Sequence, residues 1–452
     1  MRFDLIVKNG TIVTPSAPPF PGDVAVRGGR IAAILAPGEE GAEAAETIDA
    51  AGKHVFPGLI DAHVHFGFAE PVREYATETF YAAQGGFTSI IAFFLNNQSY
   101  EGVFERVLED CSRLAHVDFG FHFTACAEVH IGEMERLVSK YGMSSLKYFM
   151  NFKGEEGRYM GLDGTDDGFL YALLERAAGL GGVTCVIHPE NIEIVNRIRT
   201  EYQAAGKSSL RDWCLSKPPF TESENMLRAM YFAEHLGARI YFPHVSSKLG
   251  VDETRRWRER YGEVFIETCP HYLTHTLDAD IGSLGKANPP FRTEEDVEAL
   301  WAALADGTVD VVASDHVPRK KATKLKPMWQ ASQGFPGTAT ILPVLLEHGY
   351  HRGRLTLQRV AQLLCSNPAR IFRVPGKGDL RPGYDADLTV VDLDLVRPVD
   401  PAQLGSHSDY SLYEGWRLRG WPTATIVRGA KVMENGTVVG REGLGKYVSR
   451  LA

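Results

Sequence analysis

Between residues 55 and 375, short apolar runs alternate with amphipathic helical stretches, and this alternation restricts the fold more than any other feature of the chain. The runs lie at 55–65, 88–94, 118–125, 145–150, 184–189, 239–245, 264–269 and 309–315. Helix-like segments at 74–84, 168–178, 225–236 and 293–305 separate several of them, with apolar residues recurring every third or fourth position. A strand that is apolar on both faces needs cover on both sides, which a parallel sheet flanked by crossover helices provides. Eight such units fit an α/β fold in the form of a closed (β/α)8 TIM-type barrel. An open doubly wound sheet is the competing arrangement, but no GxGxxG follows the first run. The helical stretch 355–364 closes the barrel, and Pro375-Gly376-Lys377-Gly378 marks its end.

The two chain ends differ from this middle. Residues 1–54 and 376–452 carry short strand patterns punctuated by Asn9-Gly10, Gly28-Gly29 and Asn435-Gly436, which are hairpin signals. Neither end has enough strands to be stable alone, so the two are expected to join in one small β-sandwich domain. The expected division is therefore 1–54 and 376–452 for that domain, with 55–375 for the barrel. A net charge of −9 gives no electrostatic reason to expect nucleic acid as a partner. No stretch has the apolar length of a signal peptide or a membrane span. The six cysteines form no CxxC pair and read as buried free thiols, so a cytoplasmic location is expected.

Catalytic groups on such a barrel sit at the C-terminal ends of its strands. In Asp61-Ala62-His63-Val64-His65 the two histidines are at i and i+2 of an extended run, so both imidazoles face one point. The other strand ends carry Lys147, His188, His244 and Asp315. A single strand-end histidine is ordinarily structural; six such groups at one end of one barrel point to a metal site. Lys147, among apolar neighbours, is expected to have a depressed pKa, so that its neutral amine can take up carbon dioxide as a carbamate. Four imidazoles, a carbamate and an aspartate suit two divalent ions, zinc or manganese. Two such ions against carbamate, Asp315 and a bridging hydroxide leave about one positive charge, which would stabilise an oxyanion on a substrate carbonyl.

These residues stand in a recognisable series: Pro57-Gly58-Leu59-Ile60-Asp61-Ala62-His63-Val64-His65, Lys147-Tyr148-Phe149-Met150, His188-Pro189-Glu190-Asn191, His244-Val245-Ser246-Ser247, Glu267-Thr268-Cys269-Pro270-His271 and Ser314-Asp315-His316. The chain resembles the cyclic amidohydrolases, namely dihydropyrimidinase, hydantoinase, allantoinase and dihydroorotase, over nearly its whole length. The resemblance implies that His63, His65 and Asp315 hold one metal and His188 and His244 the other, with carbamylated Lys147 bridging both. It implies attack by a metal-bridging hydroxide on the carbonyl of a cyclic amide, imide or ureide. Asp315 would serve as general base and then acid. It also implies a small-molecule cyclic amide substrate and a homo-oligomer, dimer or tetramer. Non-catalytic scaffolds of this fold lack several ligands, whereas all six are present here.

Departures from the family pattern bear on the ring. Phe152 stands where hydantoinases and dihydropyrimidinases carry a tyrosine that hydrogen-bonds the transition-state oxygen, so Asn151, Tyr159 or the metals alone must supply that contact. Phe66-Gly67-Phe68 follows the histidine pair where dihydroorotases carry an arginine, which argues against dihydroorotate. Leu95-Asn96 is similar to allantoinase, with Asn96 a candidate substrate contact, while Gly443-Leu444-Gly445-Lys446-Tyr447 is similar to hydantoinase. Asn288 and Gly337 match positions at which relatives contact the ring amide. Phe66, Phe68, Phe93 and Phe94 read either as an apolar pocket wall or as ordinary core. The basic run Arg319-Lys320-Lys321 with Lys324 and Lys326 reads either as a grip on an anion or as a solvated loop. A hydantoin- or dihydropyrimidine-like ring is the leading expectation, with allantoin or a cyclic imide as the alternative.

Overall fold

The computed structural model describes residues 2–67, 69–159, 161–162 and 164–451, and for Glu155 and Tyr159 the backbone only. Every expected apolar run supplies a strand of one parallel sheet. The strands are Leu59–His65, Phe87–Phe94, Asp118–Thr124, Ser145–Phe149, Thr184–His188, Arg239–Phe242, Val264–Thr268 and Val311–Val312. Each pairs with the next in chain order. The sheet closes through the residues after the eighth strand: His65 N donates to His316 O at 2.8 Å, and His316 N donates to His63 O at 3.3 Å. Closure thus places the histidine pair of the first strand beside Asp315 of the last. Inside the barrel, Ile60, Ala62, Phe93, Val186 and Val311 fill the space, with Phe372 packed on Tyr241 and His122.

Two strand boundaries differ from the expected ones. The run 55–65 breaks at Gly58, and His54–Pro57 pairs instead with Leu388–Val391 of the other sheet. A Cβ at Gly58 would collide with Thr88 and Asp387, so only glycine lets the chain pass from one sheet to the other there. The run 309–315 keeps only Val311–Val312 as strand. Beyond it the buried carboxylate of Asp61 replaces ladder partners by accepting from Ser314 N at 3.1 Å, Ser314 Oγ at 2.5 Å and Thr338 Oγ1 at 2.8 Å.

The helices follow local signals. Glu294–Asp306 starts at a capping box in which Thr293 and Asp296 satisfy each other's backbone donors. The expected 225–236 begins earlier, as Phe220–Leu236, because its polar first turn after Pro218-Pro219 hides the apolar period. The stretch 355–364 is α-helical over Leu357–Ala361 and then widens into a π turn, Gln362–Ser366. Among the described residues no helix is long and apolar enough to cross a membrane.

The chain ends combine in one nine-stranded mixed sheet, in which Arg2–Ile12 lies between His54–Pro57 and Phe20–Arg27 and also pairs with Glu43–Asp49. Leu5, Val7, Val24, Val55, Leu388 and Ile426 share its core. Lys377 lies where this sheet meets the barrel, its Nζ 2.7 Å from Asp118 and 3.2 Å from Asp385 and also paired with Asp387. That ammonium, with Arg428 on Asp118, accounts for a buried acidic cluster that would otherwise suit a cation.

Candidate metal centre and substrate cavity

His63, His65 and Asp315 bring their ligand atoms within 4.8 Å of one another. Asp315 Oδ1 lies 2.9 Å from His63 Nε2 and 3.2 Å from His65 Nε2. The ring of His244 is 5.3 Å from that of His63 and 4.5 Å from that of His188. Lys147 is 1% exposed, and its Nζ stands 4.5 Å from the Phe93 ring centre and 4.7 Å from that of Phe149. The barrel's strand order therefore gathers all six expected side chains at one end.

His63 and His188 each have one nitrogen fixed by a buried acid, and His244 has one without a partner among the described residues. Glu267 accepts from His63 Nδ1 at 2.6 Å, from Tyr241 OH at 2.6 Å and from His244 N at 3.1 Å. Glu190 holds His188 Nε2 at 2.8 Å and is itself balanced by Lys217 Nζ at 3.2 Å. Such carboxylate–imidazole pairs select the tautomer that presents the other nitrogen to a metal. His244 Nδ1 is buried with no hydrogen-bond partner among the described residues. His244 and Asp315 both have positive φ, 45° and 51°, so two of the six groups sit on strained left-handed backbone. Neither Glu267 nor Glu190 was expected to act here. The available signal was a carboxylate within or beside an apolar run, which burial obliges to find a partner.

The titration of these groups matches a site built for cations. Burial drives Lys147 down to about 7, against Asp315 and Glu267, so much of it is neutral amine at physiological pH. Burial lowers His65 to about 4 and His244 well below the usual range. Burial also opposes the charged form of His63, but Glu267 and Asp315 outweigh it and raise that group to about 9. A divalent ion would take the place of that proton. Desolvation opposes the charged form of Asp315, yet His63 and His65 hold its carboxyl well below the ordinary range. Neutral imidazoles, one carboxylate, a reactive amine and an orphaned buried nitrogen fit a pair of divalent ions.

Above the six lies a cavity of about 1090 Å³. His65, Lys147, His188, His244 and Asp315 line it, as do Asn151, Phe152 and Asn288. Asn151 and Asn288 each have a buried Oδ1 without a partner among the described residues; Asn288 Nδ2 bonds Gln333. Phe152 stacks on Phe149 at 4.1 Å. Phe66, Phe93 and Phe94 also line the cavity, whereas Phe68 lies outside the described residues. Asn96 does not line it: its Nδ2 donates to Gln98 O and Ser99 O, both at 2.9 Å, and so shapes its own loop. Gly337 is likewise away from the lining, its N–H directed to His316 Nδ1 at 3.2 Å and its Cα face against Ser314. Tyr159 ends the helix Gly154–Tyr159, and its side chain lies outside the described residues. The basic run divides. Arg319 and Lys326 line the cavity, Lys320 bonds His407 O, Lys321 pairs with Glu414, and Lys324 is buried beneath.

Comparison with known proteins agrees with this geometry. The Amidohydrolase family matches residues 54–432. The chain is 37% identical to an allantoinase of Rubrobacter xylanophilus, covering 97% of this chain and 96% of that one. It is 33% identical to an L-hydantoinase of Paenarthrobacter aurescens, covering 99% and 98%. Among solved structures, a dihydropyrimidinase from Brevibacillus agri superposes with a TM-score of 0.90 at 29% identity, over 98% of each chain. With the fold, the strand-end groups and the family match in agreement, the chain belongs to the metal-dependent amidohydrolase family, in its cyclic amidohydrolase branch.

Proposed function

We propose that this protein hydrolyses the ring C–N bond of a cyclic ureide, of the hydantoin or dihydropyrimidine type, at a binuclear metal centre. The observation that carries this reading is the convergence of His63, His65, His188, His244, Asp315 and a largely neutral Lys147 at one end of the barrel. His63, His65 and Asp315 would hold one ion, His188 and His244 the other, and Lys147, as its carbamate, both. When bound, the ions would supply Lewis-acid polarisation of the scissile carbonyl and acidify a water enough to attack at neutral pH.

The chain's own residues do the rest. Asp315 takes the proton of the attacking water on a carboxylate oxygen and delivers it to the departing ring nitrogen. Phe93 and Phe149 flank Lys147 and keep bulk water from its amine. Asn151 donates its side-chain amide to the carbonyl oxygen as that oxygen gains charge, a contact the Phe152 ring cannot make. Asn288 meets the ring amide through its unpartnered Oδ1.

The test is ring opening by zinc- or manganese-loaded protein on a panel of hydantoin, dihydrouracil, allantoin and succinimide, with product identification and metal analysis. Opening of a ureide ring, lost in Lys147→Ala, is the expected result. Metal-free protein of full activity, or no opening of any ring, would overturn the proposal. Allantoin belongs on the panel because the allantoinase similarity is as extensive as the hydantoinase one.

A further inference from the structure

The cavity is larger than the ring chemistry requires. At about 1090 Å³ it matches the upper end of small-molecule sites, and a five- or six-membered ureide over Lys147 and Asp315 fills only a small part. One wall of the remainder is charged. Lys286 Nζ lies 4.4 Å from the Trp213 ring centre, and the indoles of Trp213 and Trp329 meet at 5.7 Å. Lys286 is 2% exposed, and its Nζ donates to Trp329 O at 3.1 Å and Ala331 O at 2.8 Å. An ammonium has three donors; carbonyls take two, the Trp213 ring face is the remaining contact, and no carboxylate among the described residues comes within salt-bridge distance of it.

A second buried lysine underlies the first, and burial, with Lys286 and Arg319 adding to it, holds its amine well below the usual range. Lys324 Nζ donates to Lys286 O at 2.8 Å and Gly334 O at 3.0 Å. Burial, with Lys217 and Arg199 adding to it and Glu156 opposing, pulls Lys286 down to about 8, so it still carries charge at neutral pH. Glu156 is engaged by Arg199 at 2.7 Å. Buried charge facing a cavity without a counter-ion is costly, and a bound anion is the partner that removes the cost.

We propose that this wall is a carboxylate subsite, and that the preferred substrate is a cyclic amide whose ring substituent ends in a carboxylate placed on Lys286. Trp213 and Trp329 flank the stem, and Lys326, on the same lining, adds long-range attraction. The proposal rests on the ring-opening reading above. The chemical step is unchanged: water adds hydroxyl to the ring carbonyl carbon and hydrogen to the departing nitrogen, and the substituent carboxylate passes through intact.

The experiment measures kcat/KM of metal-loaded protein on one ureide ring carrying carboxymethyl, carboxyethyl or carboxypropyl substituents, each beside its matched carboxamide and the unsubstituted ring. A charge-assisted contact predicts a preference of roughly tenfold or more for the best carboxylate over its carboxamide, carried mainly by KM. Lys286→Met brings that ratio to about one, and Lys286→Arg retains most of it. Because Lys286 also ties down residues 329–331, Lys326→Gln at the exposed rim is measured too, with a smaller loss of the ratio expected. Equal turnover of carboxylates and carboxamides overturns the subsite and leaves the ring-opening reading standing. A folded Lys286→Met protein that keeps the wild-type ratio also overturns it. If no ring opens at all, the ring-opening reading fails and this proposal falls with it.

Discussion

Glu267→Gln separates the charge of the buried carboxylate from its shape. Glu267 receives three donors, His63 Nδ1 and Tyr241 OH at 2.6 Å each and His244 N at 3.1 Å, and so touches one candidate ligand from each metal position. Glutamine keeps the volume and one carbonyl acceptor but removes the charge that makes the His63 imidazole a strong donor to a cation. A hydrogen bond to a charged group contributes about 1.5–3 kcal/mol and a neutral one about 0.5–1.5 kcal/mol, so the His63 contact loses roughly 1–1.5 kcal/mol. That is about tenfold in affinity. Tyr241 then faces an amide NH₂ where it met a carboxylate oxygen, which carries the expected loss into the range of about 10–100-fold typical of such partners.

The assay is titration of metal-free protein with zinc against a competing chelator, beside thermal melts with and without metal. Weaker binding by this factor reduces the stabilisation at saturating zinc by about 1.4–2.7 kcal/mol, which the metal-induced rise in Tm reports. A glutamine variant that binds zinc within twofold of wild type, while His63→Ala loses it, would refute the reasoning. It would mean that Glu267 serves only to satisfy buried donors.

Further outcomes follow from the same geometry. Lys147 titrates near 7 in the folded chain against about 10.5 in the ordinary state, so the unfolded chain binds the extra proton between these values, and the stability of unmodified, metal-free protein rises with pH across that window. Carbamate formation needs the neutral amine; the labelled-carbamate NMR signal after adding isotopic carbon dioxide should therefore grow through pH 7 and level off, and a midpoint near 10 would contradict the burial argument. Asn151→Ala should lower kcat by about 10²–10³ with little change in KM if its amide meets the developing oxyanion, and steady-state kinetics within threefold of wild type would assign that contact elsewhere. Lys377→Met leaves buried Asp118 and Asp387 and half-buried Asp385 without their shared cation and should cost about 3–5 kcal/mol by denaturant unfolding, with the loss easing as pH falls and the acids protonate.

What the linear chain discloses depends on whether a feature is local. Strand-end ligands are legible because period-two alternation and the barrel's directionality are short-range properties: His63 and His65 face one way wherever Leu59–His65 is a strand. The break at Gly58 was hidden because two strands of different sheets abut there and read as one apolar run. Asp61 and Glu267 interrupt apolar runs visibly, but their partners, Ser314 and His63, are set by how the barrel closes and lie far away in sequence. Asn96 shapes its own loop; its resemblance to allantoinase cannot tell an amide aimed at a ligand from one that does so.

The same distinction bears on where specificity resides. The six converging groups come from strand ends and are placed by backbone register, which leaves them little freedom to differ among chains that share the barrel. Lys286, Trp329 and Arg319 come from segments outside the strands, and residues 318–335 fold back over Lys286, held by Lys324 Nζ on Gly334 O and by Gly334 N on Lys286 O, while Trp213 packs on its ammonium. A lysine seen in sequence between Gly285 and Ala287 gives no hint of that cover. The metal-site groups are thus encoded locally, while the wall around Lys286 is encoded in contacts between loops far apart in the chain. Allantoinases and hydantoinases are about equally similar to this chain, so overall identity does not select the ring, and the subsite proposed at Lys286 is tested by substrates rather than by similarity.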